Sequence, residues 1–129
     1  MAWTTVSIDA LDLHWATLLP GTYAAPMCRI TVASTEPVTL VVGSECSDLT
    51  APSGRVIPTW YAFGDTIQEA EASGWIPAGE LPGMTFPTLF SQPTPEGRII
   101  TIWCRIKTDS APAEDGFCSS FELTICPSP

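Results

Sequence analysis

Thirteen prolines and nine glycines are spread through the 129 residues of this chain, and they cut it into short segments that leave little room for long helices. Short strands joined by turns are the favoured alternative. Alternation of apolar and polar residues, the mark of a half-buried strand, is clearest from Arg98 to Lys107. There Ile100, Ile102, Cys104 and Ile106 share one face, and Thr101, Trp103, Arg105 and Lys107 share the other. Phe117 to Ile125 alternates in the same way, with Phe121, Leu123 and Ile125 opposite Cys118, Ser120, Glu122 and Thr124. The intervening Pro112 and Asp115-Gly116 turn signal predicts a hairpin between the two segments.

Further strands are expected over Trp3 to Ile8, Met27 to Ala33, Val38 to Val42 and Val56 to Phe63, the last pushed towards an edge or bulge by Pro58. Leu11 to Leu19 and Met84 to Phe90 carry weaker patterns. One short helix follows Asp65, with Asp65 as its cap, Gln68 placed to reach back to it, Glu69 in the first turn and Gly74 as its stop. The next stretch contains Pro77, Pro82, Pro87, Pro93 and Pro95, and 76–95 reads as an extended, exposed arm.

These elements predict one all-β, mainly antiparallel domain over 1–129, a β-sandwich, jelly-roll-like or barrel fold with one short helix and a proline-rich arm. Nothing divides the sequence into two cores. Its length suffices to bury a core without metals or disulfides, and 45% hydrophobic against 15% charged residues is far from the composition of a disordered chain.

Fourteen acidic residues against five basic ones leave a formal charge of −9. Nucleic acid and anionic membrane surfaces are therefore poor partners, since both are bound by clustered Lys and Arg. The longest uncharged run, Leu13 to Cys28, is interrupted by Pro20, Gly21 and Pro26 and does not suit a membrane span. The N-terminus has no basic region and carries Asp9 and Asp12, so no export signal is visible. Five cysteines, Cys28, Cys46, Cys104, Cys118 and Cys126, lack C-x-x-C spacing; they suit buried hydrophobes better than a disulfide framework or a zinc site. Cys28 and Cys104 face the expected core and are candidates to pair across a sandwich under oxidising conditions.

Chemistry has few footholds. The single histidine, His14, shares a strand face with Asp12, which allows a small hydrolase or metal pair, although a solvated strand face explains the same residues. Glu69 and Glu71 diverge on the helix, and Glu114-Asp115 sits in a turn. There is no G-x-S-x-G, no phosphate loop, no EF-hand and no H-E-x-x-H. The expectation is a protein that is not an enzyme, with no cofactor and no metal.

The aromatic residues Trp3, Trp15, Trp60, Tyr61, Trp75 and Trp103 remain. Most suit a packed interior. Trp75, in its Pro/Gly-rich setting, is expected to be exposed or covered by a partner, and Trp103 on a polar strand face suits a second layer or a binding surface.

An acidic β domain with a proline-rich arm and no export signal resembles, in whole-chain character, the small decoration or cement proteins of tailed-phage capsids. That resemblance rests on no motif and carries over no residue. It implies a virion component assembled in a host cytoplasm, with a major capsid or other virion protein as partner and possible self-association. The candidate contacts are Met1, Ala2 and Trp3 at the N-terminus, Trp75 ahead of the arm, and Ile76, Leu81, Met84, Phe86, Leu89 and Phe90 within it. Deleting 76–95 is then expected to abolish assembly without unfolding the domain. A carbohydrate-binding or adhesin-like module is the alternative, requiring exposed coplanar aromatics such as Trp75 and Trp103; a hydrolase built on Asp12 and His14 is the third.

Overall fold

The structure is a computed structural model, and it describes residues 3–10, 21–46, 48–50, 52–54, 56–108 and 121–127. The fold is all-β and mainly antiparallel. Ten strands run in chain order: β1 Thr4–Ala10, β2 Gly21–Ser34, β3 Val38–Cys46, β4 Leu49–Thr50, β5 Val56–Ile57, β6 Thr59–Gly64, β7 Ile76–Pro77, β8 Thr85–Phe90, β9 Thr94–Thr108 and β10 Phe121–Pro127. The one α-helix among the described residues, α1 (Ile67–Ser73), lies between β6 and β7, and a turn of 3₁₀ helix (Ala78–Glu80) follows β7.

The strands form a five-stranded sheet in the order β1-β2-β9-β6-β7, a three-stranded sheet β10-β3-β8, and the small β4-β5 ribbon. The two larger sheets pack on each other through one shared core. Ile30 and Val32 of β2 and Ile100, Ile102 and Ile106 of β9 meet Val38, Leu40 and Val42 of β3 and Phe90 of β8. The Phe63 and Phe86 rings, one from each sheet, stand 4.6 Å apart between centroids. The alternation from Arg98 to Lys107 is confirmed, because Ile100, Ile102, Cys104 and Ile106 are all buried. Each such isoleucine removed from water contributes about 1.5–3 kcal/mol.

β2 and β9 are the longest strands and run beside each other for most of their length. β2 extends well past the expected Met27–Ala33 because register shifts beside Pro26 and between Val32 and Ser34 absorb residues that would otherwise break the ladder. Pro58 splits the expected Val56–Phe63 strand into β5 and β6.

Three expectations are corrected. The predicted hairpin does not form, since β9 is flanked on its two sides by β2 and β6 and has no free edge; β10 instead pairs with β3 in the other sheet. The proposed turn over Asp109–Gly116 lies outside the described residues, as does the weak Leu11–Leu19 segment.

The helix cap is Thr66, not Asp65. Its hydroxyl accepts from the Glu69 N–H at 3.2 Å, and the Glu69 carboxylate, not Gln68, reaches back to accept the Asp65 N–H at 2.8 Å. Gly74 ends the helix as expected, with φ at 98°, where only glycine is unstrained. At Gly64 the requirement is space, because an added Cβ would lie 2.8 Å from the Ala70 nitrogen of the helix packed over it.

The 76–95 segment is not an arm standing away from the body. β7 pairs with β6, β8 pairs with β3, and the turn between them is tied to β3 by Gly83 N–H to the Val42 carbonyl and Val42 N–H to the Met84 carbonyl, both 2.9 Å. Leu81 and Phe90 enter the core at 0% and 1% exposure. Removing 76–95 would take away a strand of each sheet and part of the core, so the deletion is expected to unfold the domain.

Candidate functional site

The face of the five-stranded sheet that points away from the core carries the residues the core cannot use. Trp60 on β6 lies directly opposite Arg105 on β9, so both project from this face. Gly74 then turns the chain out of α1, and β7 lies along β6 with Pro77 opposite Trp60, which brings Trp75 back over the same spot. The Arg105 guanidinium carbon rests 4.8 Å from the Trp60 ring centroid and 5.0 Å from that of Trp75. Each such cation–π contact contributes about 0.5–2 kcal/mol, more as water is excluded.

Beside this cluster an open groove of about 290 Å³ is lined by Thr22, Trp60, Arg105 and Lys107. Arg105 Nε is buried and has no hydrogen-bond partner among the described residues. Trp103 lies further along the same face. Its indole N–H donates to the Gly64 carbonyl at 3.1 Å, which fixes the ring under the helix end.

Neither Trp75 nor Trp103 is the free aromatic that a sugar-binding platform needs. Both are half-buried, one against Arg105 and the other anchored to Gly64. Trp75 is covered by its own chain, because the Gly74 turn and the β6–β7 pairing fold it back.

A second surface lies at the sheet edge. Every described side chain of β1 is exposed. Val6 and Ile8 stand opposite Val32 and Ile30, so they point to the core face of the sheet, yet they are 45% and 55% exposed. Trp3 is anchored through its backbone, its N–H donating to Thr35 Oγ1 at 3.0 Å and its carbonyl accepting the Thr35 N–H at 3.1 Å; its ring is exposed.

Of the contact residues expected from sequence, Trp3 and Met84 are exposed, and Trp75, Ile76, Phe86 and Leu89 are half-buried. Leu81 and Phe90 are corrected to core positions, Phe90 because its place opposite Val38 turns it inward. Met1 and Ala2 lie outside the described residues, as do Asp12, His14, Glu114 and Asp115. Glu69 serves the helix cap. Among the described residues no group of three or more His, Cys, Asp or Glu side chains is arranged to hold a metal, and no helix is long and apolar enough to cross a membrane.

Cys28, Cys46, Cys104 and Cys126 are free thiols. Cys28 and Cys104 sit on neighbouring strands of one sheet, so they do not face each other across the core. Burial pushes the Cys104 thiol up to about 12 and the Cys28 thiol up to about 11; burial, and secondarily the nearby Asp48 carboxylate, raises Cys46 to about 11. Thiols held protonated in this way are poor nucleophiles at neutral pH.

Comparison with known protein families, with characterised proteins and with solved structures gives no match to this chain.

Proposed function

We propose that the protein is a non-enzymatic structural module that binds a protein subunit of a larger assembly, in the manner of a capsid decoration or cement protein on its shell, and that β1 is its contact. The observation that carries this reading is the contrast between β1 and the other edge strands. Natural sheet edges are blunted by proline, lysine, bulges or shortness. β7 has two residues and includes Pro77, β8 includes Pro87, and β10 ends on Pro127 and has a register shift after Phe121. β1 has none of these devices. It runs in unbroken register with β2, carries Asp9 as its one charged residue, and has no partner strand on its outer side among the described residues.

An edge of this kind offers a partner a row of backbone donors and acceptors, with Val6 and Ile8 as adjacent apolar anchors. Repetition on a symmetric lattice would multiply a modest single contact into firm attachment. Sedimentation of a particle-containing lysate through a density gradient tests the reading. The wild-type protein should travel with one abundant shell subunit at fixed stoichiometry, and a Val6→Lys, Ile8→Lys variant should stay at the top. Wild-type protein that stays at the top contradicts the proposal.

A further inference from the structure

The groove beside Arg105 is independent of the β1 edge and has a chemistry of its own. Only five basic side chains oppose fourteen acidic ones in this chain, yet Arg105 and Lys107, two residues apart on one strand face, form no ion pair among the described residues. Both line the groove, and no acidic side chain is among its described lining residues.

Arg105 is also held in a particular way. With its guanidinium carbon 4.8 and 5.0 Å from two indole centroids and its Nε buried, the donors left to a ligand are the terminal N–H groups, two of which match the two oxygens of a carboxylate. Stacking fixes the fork before a ligand arrives, which lowers the ordering cost of binding. Lys107 adds a second positive charge, Thr22 a hydroxyl, and Trp60 an apolar wall. We propose that this groove is a carboxylate-recognition site in which Arg105 supplies the bidentate contact and Lys107 the supporting charge.

The charge of the whole chain narrows the ligand class. A net −9 repels polyanions at a distance, so an extended nucleic acid or polysulfated chain is disfavoured. A ligand with one or two negative charges is governed by the local pair of cations once it is within a Debye length, about 8 Å at physiological ionic strength. The groove volume suits a single acidic side chain or a small carboxylic acid.

The test is a titration followed by ¹H–¹⁵N NMR of the Trp60 and Trp75 indole N–H signals. The probes are sodium acetate, a blocked Gly-Gly-Glu-Gly-Gly peptide, and the same peptide with Gln in place of Glu. Both carboxylate probes should give saturable shifts and the Gln peptide none; tighter binding of the Glu peptide assigns the site to a partner's side chain, and tighter binding of acetate to a small ligand. Arg105→Lys should weaken binding about tenfold through loss of the fork. Lys107→Gln, at an exposed position that leaves the aromatic stack intact, should weaken it about threefold. Equal shifts from the Gln peptide, no saturation with either carboxylate, or unchanged affinity in the folded Lys107→Gln and Arg105→Lys variants would overturn the proposal.

Discussion

β9 and β1 belong to one sheet and both alternate apolar with polar residues, yet they end in opposite circumstances. β9 has a strand on each side, its inward isoleucines are buried, and on its outer face Trp60 and Trp75 close over Arg105. Among the described residues β1 has one neighbouring strand, and its inward-facing Val6 and Ile8 remain about half exposed because the three-stranded sheet does not reach over them. Alternation reports which face a side chain takes. How much of that face is covered depends on the strand's place in the sheet, and that place separates residues that hold the fold from residues free to meet a partner.

Substitution should break the two strands apart most widely. Ile102→Ala, which opens a cavity in the shared core, should cost about 2–5 kcal/mol in urea unfolding, whereas Ile8→Ala should cost under about 1 kcal/mol. Equal losses would mean that β1 is part of the core after all.

Alkaline pH sharpens the same contrast. Burial raises Cys104 to about 12 and Cys28 to about 11 from an ordinary value near 9, so the unfolded chain releases these protons first. Their contribution to stability is fully present below pH 9 and is lost as pH rises from 9 towards 12. Thermal melts across that window should fall for the wild type and fall less steeply for Cys104→Ala, and parallel curves would contradict the burial of Cys104.

On the outer face of β9, Trp103→Phe keeps the ring packing but deletes the hydrogen bond to Gly64, with an expected loss of about 1 kcal/mol. Smallest is the effect of Val6→Lys with Ile8→Lys on the free protein, within about 0.5 kcal/mol per site of wild type, since both side chains already meet solvent.

Much of the framework was legible from sequence because its signals are local. The β9 alternation, the Pro58 break and the Gly74 stop each act through residues a few positions apart. The 76–95 segment departs from expectation because proline signals a missing N–H and not exposure of the whole segment. Pro82 and Pro87 do face outward, but β8 is an edge strand where a missing N–H costs little, and Leu81, Phe86 and Phe90 between them turn towards the core.

The Trp60–Arg105–Trp75 cluster was illegible for a different reason. Its members are brought together by strand order and by a two-residue return strand, and neither leaves a periodic trace. The placement of Trp103, Arg105 and Lys107 on the polar face of β9 was the available clue, and it lacked only the neighbour across the ladder.

Hydrogen exchange read by mass spectrometry, on the free protein and on the protein bound to its assembled particle, distinguishes β1 as the contact from any other surface. In the free protein, amides of 98–107 should be protected, whereas the alternate amides of β1 that point away from β2 should exchange quickly. On binding, 3–10 should gain protection while 98–107 stays unchanged. Slow exchange of the outward amides of β1 in the free protein, or protection on binding that leaves 3–10 untouched, would show that β1 is not the surface through which this domain meets its partner.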